Sequence, residues 1–91
     1  MRHIEVQVSS NGEIRVDGTP MSIDQVDARI AKLASEAGTV WYYREGSTGE
    51  PHPNAMRVIE LVVKHRLPIS MSSKPDFSDY IDETGESHPR K

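Results

Sequence analysis

With 91 residues, 11 Lys and Arg against 14 Asp and Glu, and no Cys, the chain is one small domain without disulfides, thiolate metal sites or a cysteine nucleophile. The net charge of -3 resides after residue 75, where Asp76, Asp79, Asp82, Glu83 and Glu86 outnumber Arg90 and Lys91. No basic stripe offers a footprint for nucleic acid, and no apolar run reaches the ~18 residues of a membrane span.

The first segment alternates, with Ile4, Val6 and Val8 opposite Glu5, Gln7 and Ser9, the pattern of a half-buried strand. A second run follows with Ile14 and Val16 on its apolar side. A two-residue turn at Asn11-Gly12 would send the two apolar rows to opposite faces. A three-residue loop, Ser10-Asn11-Gly12, pairs Val8 with Ile14 and Val6 with Val16, so register selects that loop and gives Gly12 the left-handed position. Next, MSIDQVDARIAKLASEAG carries a capping box (Ser22, Gln25), a hydrophobic staple (Met21, Val26) and an apolar stripe of Ile23, Val26, Ile30, Leu33 and Ala37. Gly38 is expected to close that helix.

Thr39 to Arg44 is β-branched and aromatic, hence a strand. A second helix is predicted from about Pro53 to Leu67, its broad apolar face made by Ala55, Val58, Ile59, Val62 and Val63. Glu60 and Lys64 are spaced four apart as a favourable pair. PISMSS gives a short last strand with Ile69 and Met71 on one side. The order is β-β-α-β-α-β. It predicts an α/β (α+β type) domain over residues 1–74, a mixed four-stranded sheet with two helices packed on one face. The hairpin's polar rows leave the other face to water. Residues 75–91 read as an acidic, flexible tail.

Between the aromatic strand and the second helix lies REGSTGEPHP. Strand, glycine loop and helix is the order of a phosphate cradle, but Gly46 and Gly49 are too close together and Glu50 stands where a lysine is needed. The loop reads as a connector.

The run IEVQVSSNGEIRVDGTPMSIDQVDARIAKLAS, then VWYYREG, then GEPHPNAMRVIELVVKHRLPISMSS resembles the soluble C-terminal domain of the ExbD/TolR family of biopolymer-transport accessory proteins over Ile4 to Ser73. The resemblance rests on the order and spacing of motifs. It implies an ExbD/TolR-like fold, a non-enzymatic protein-interaction role and a homodimer. The family's transmembrane helix and its essential carboxylate have no counterpart here, so the proton-driven motor role does not carry over. Met1 directly before the first strand leaves no room for a signal peptide, and a cytoplasmic location is expected; a fragment of a membrane-anchored relative would be periplasmic.

Alternation on the third strand sends Val40 and Tyr42 one way and Trp41 and Tyr43 the other. An exposed Trp41–Tyr43 pair on the open face would form a protein-binding patch, unless Phe77, Tyr80 and Ile81 fold back over it. Trp41, Tyr43, Phe77 and Tyr80 are therefore the candidate contact residues. His3, His52, His65 and His88 lack metal-ligand spacing, so no metal, cofactor or catalytic set is expected. Two rival readings remain: an enzyme using His52 with Glu45 or Glu50, and an adaptor or immunity-type binder using the acidic tail.

Overall fold

The computed structural model describes residues 2–45 and 52–90. Strand β1 (His3–Val8) is followed by β2 (Ile14–Val16), β3 (Thr19–Met21), helix α1 (Ile23–Ser35), β4 (Thr39–Arg44), helix α2 (Pro53–Lys64), β5 (Ile69–Met71), β6 (Asp79–Ile81) and β7 (Ser87–Pro89). They make one mixed sheet in the order β3-β2-β1-β4-β5-β6-β7, with β4 parallel to both β1 and β5. The sheet thus has seven strands among the described residues, where the sequence reading had four.

The β1–β2 register is the expected one, Val6 opposite Val16 and Val8 opposite Ile14. Gly12 takes φ +93°. The first additional strand, β3, arises because Asp17 (φ +51°) and Gly18 (φ +85°) form a two-residue turn that sets Val16 opposite Thr19. Positive φ at both central residues matches the twist of the flanking strands. The other two strands come from the acidic segment. Its loop Asp82–Glu86 repeats the geometry of Ser9–Glu13. In both, the first residue donates its N–H to the fifth residue's carbonyl, and a glycine (Gly12, Gly85) donates back to the first.

Both helices bury one stripe against the same sheet face. Val26, Ile30 and Leu33 from α1 and Ala55, Val58 and Val62 from α2 meet Ile4, Val6, Val8, Ile14, Val16, Val40 and Tyr42 in a single core. The Ser22–Gln25 capping box forms as read from the sequence. The helix stop differs: Ala37, not Gly38, takes the left-handed conformation (φ +55°), while Ala37 and Gly38 return N–H groups to the carbonyls of Ala34 and Leu33. A side chain on Gly38 would collide with Leu33. On α2, Val63 is 68% exposed and so leaves the expected apolar face. Lys64 reaches Asp27 of α1 at 3.7 Å, and His65 binds the same carboxylate at 2.8 Å. That hydrogen bond holds Asp27 below its ordinary carboxylate range.

Both edge strands carry a proline, Pro20 in β3 and Pro89 in β7. Proline lacks a ladder donor and blunts an edge against pairing, so free-edge association is disfavoured at both ends.

Candidate functional site

Two surfaces concentrate unusual features, one on each side of the sheet. On the helix side, the core ends at β4, and β5–β7 extend beyond it. Register places Ile69 opposite Val40, Met71 opposite Tyr42 and Ile81 opposite Met71, so these three side chains share the helix-side face. Ile69 is 37% and Met71 38% exposed, and on α2 Met56 is 50% exposed. With Val63 they are the large apolar side chains that α2 and β5 leave exposed, the helix-side shelf. A cleft of about 340 Å³ opens at the ends of β4 and β5, walled by Tyr42, Met71 and Ile81 from this side and by Tyr43 and Ser72 from the other, with Arg44 and Ser73. The Tyr42 hydroxyl is buried with no hydrogen-bond partner, and burial pushes its pKa up.

The opposite face carries the aromatic strand residues. Trp41 and Tyr43 lie there as alternation required, beside Glu5 and Gln7 in register, but both are half-buried. The His3 ring stacks on Trp41 with centroids 3.6 Å apart, and the Arg90 guanidinium lies 3.9 Å from the Trp41 ring centroid. Gln7 donates to the Pro75 carbonyl at 2.8 Å, and Arg90 donates to the Phe77 carbonyl at 2.9 Å. Those donors stand on this face, which puts the β5–β6 connection across it. Phe77 is buried outside the helix-side core, at φ +58°. Tyr80 remains 37% exposed and stacks on His88. Of the four candidate contact residues, Trp41, Tyr43 and Phe77 are therefore partly or wholly covered, and Ile81 points to the other side.

A buried polar cluster fastens this covering. Asp79, 2% exposed, accepts from Ser73 N–H at 3.1 Å and from the hydroxyls of Ser73 at 2.5 Å and Ser87 at 2.6 Å. The Ser73 and Ser87 hydroxyls hold its pKa down to about 2. At the hairpin mouth Asp82, Glu86 and His88 bring ligand atoms within 4.8 Å of one another. Asp82 also accepts from Thr84 N–H and Oγ1, from Glu86 N–H and from His88, an assignment that accounts for the cluster as turn chemistry.

The residues of the enzymatic alternative are engaged structurally. His52 caps α2, its Nδ1 accepting from Asn54 N–H at 3.1 Å, and Glu45 accepts from Ser10 N–H at 3.0 Å. Asn54 donates to the Gly12 carbonyl, so these residues bolt the β1–β2 turn to the start of α2. Glu50 and the Gly46–Gly49 loop lie outside the described residues.

Neither a protein-family model nor a curated protein matches the chain. Among the described residues, no helix is long and apolar enough to cross a membrane.

Proposed function

We propose that the chain is a non-enzymatic protein-interaction module akin to the soluble domain of the ExbD/TolR family, and that it pairs with a second copy of itself through the helix-side shelf. The observation that carries this reading is the exposure of Met56, Val63, Ile69 and Met71 beside a core that ends at β4. Two helices packed on one face of a mixed sheet, the arrangement that the resemblance over Ile4 to Ser73 implies, support the reading. A second copy suits the shelf because a chain of this length buries a modest core, and mutual coverage adds apolar burial. Blunted edges favour face contact over strand addition.

Sedimentation velocity over a concentration series tests the reading. The full chain is expected to dimerise, and the double variant Val63→Glu, Met71→Glu to stay monomeric while retaining its fold by circular dichroism. A wild-type chain that is monomeric throughout removes the pairing.

A further inference from the structure

Arg90 approaches the helix-free face with its whole guanidinium engaged. Besides Phe77 O, it donates from Nη1 to Ser70 Oγ at 3.0 Å and from Nη2 to Ser72 Oγ at 2.8 Å. Its guanidinium carbon lies 3.9 Å over the Trp41 ring and 6.0 Å from the Tyr80 ring centroid. All three hydrogen-bond acceptors are neutral. Burial lowers the Arg90 pKa, which Asp79 and Glu5 oppose through space. A planar fork on an indole, with hydroxyls at its rim, selects arginine by shape; a lysine offers neither the plane nor the fork.

The backbone attachment of the same hairpin is slight. The β5–β6 ladder has a single register pair, Met71 with Ile81, whereas β1 and β4 share six pairs. Side chains hold the hairpin down more than the ladder does.

We propose that Trp41, Ser70 and Ser72 form an arginine-receiving site, occupied internally by Arg90 of the C-terminal hairpin. When the hairpin lifts, the site takes an arginine-bearing extended segment of a partner protein. Lifting also frees the edge of β5, whose backbone groups then pair with that segment. While the hairpin is closed, apparent affinity for an outside segment falls by the fraction of molecules that are open. The site lies on the face opposite the shelf, so loss of the pairing would leave it standing, and the reverse.

Trp41 is the sole tryptophan, and its emission reports on the site. The probe is a synthetic peptide with the sequence of residues 75–91, added to the full chain and to its variants. Arg90→Gln should shift Trp41 emission to the red and make it more quenchable by acrylamide. The peptide should bind Arg90→Gln at least about tenfold more tightly than wild type and reverse the shift. Arg90→Lys should behave like Arg90→Gln. Ser70→Ala, which spares the hydrogen bond from Ser72 Oγ to the Asp79 carbonyl, should also shift to the red and take the peptide more weakly than Arg90→Gln does, which separates recognition from simple loosening. A peptide carrying Gln in place of the arginine should not bind. Unchanged emission in both Arg90→Gln and the serine variant overturns the proposal, as does equal binding of the arginine and glutamine peptides.

Discussion

The two ends of the sheet are held by different physics. From β3 to β4 the sheet is built around the six-pair β1–β4 ladder and a core supplied by both helices, with Ile4, Val26, Ile30, Leu33, Val40 and Val58 fully buried. From β5 to β7 the strands add nothing to that core, a single pair joins β5 to β6, and the fastening is polar: Asp79 with three donors, and Arg90 with three acceptors. Apolar burial is non-directional and cooperative, whereas a few charged hydrogen bonds can be released together. The first region therefore sets whether the chain folds, and the second sets what the folded chain exposes.

The largest test breaks the first region. Leu33→Ala should cost about 2–5 kcal/mol, lower the thermal midpoint sharply and unfold both regions together. The repeated loop then compares the two regions directly. Gly12 and Gly85 have nearly the same φ, +93° and +90°, but a Cβ on Gly12 would sit 2.4 Å from the His52 ring, whereas one on Gly85 meets nothing within 4 Å. Gly85→Ala should cost only the left-handed strain, about 1–2 kcal/mol, and Gly12→Ala clearly more, by denaturant midpoint.

Asp79→Asn is the corresponding break in the second region. Hydrogen bonds to a charged acceptor are worth about 1.5–3 kcal/mol each at most, and the variant should loosen the hairpin while leaving the helices intact by far-ultraviolet dichroism. The folded pKa of about 2 lies below the unfolded value near 3.9, so the wild-type contribution is present above about pH 4 and is lost as pH falls towards about 2. Acid titration followed by Trp41 emission should show that step in wild type, with a smaller one in Asp79→Asn. The smallest effect is stabilising: Ala37→Gly relieves a left-handed alanine at the end of α1 and should raise stability by up to about 1 kcal/mol.

The helix-covered region was largely legible because its signals are local and redundant. Alternation at Ile4, Val6 and Val8 fixed the hairpin register, and the Ser22–Gln25 box fixed the start of α1. The stop of α1 was misread because glycine is the usual left-handed residue, but here Gly38 is required by Leu33's side chain instead. Asp17-Gly18 is a recognisable two-residue turn signal, and the β2–β3 hairpin follows from it. The C-terminal hairpin was hidden by its acidity, since five carboxylates read as a solvated tail. Their partners explain the order: Asp76 accepts from Ser78 N–H, Asp79 from serines, and Asp82 from its own turn. The loop Asp82–Glu86 repeats Ser9–Glu13 in its bonding and in its Gly-Glu ending, a signal that was available. The fastening by Arg90 was not legible, because it depends on a sheet order that brings residue 90 over residue 41.

Hydrogen exchange under native conditions, read residue by residue, tests the division between the two regions most directly. Amides of β1 and β4 should exchange only through global unfolding, while those of β6 and β7 should exchange through a smaller opening that Arg90→Gln accelerates and that leaves β1 and β4 unchanged. A single opening free energy common to all seven strands, shifted equally by Arg90→Gln, would contradict the account.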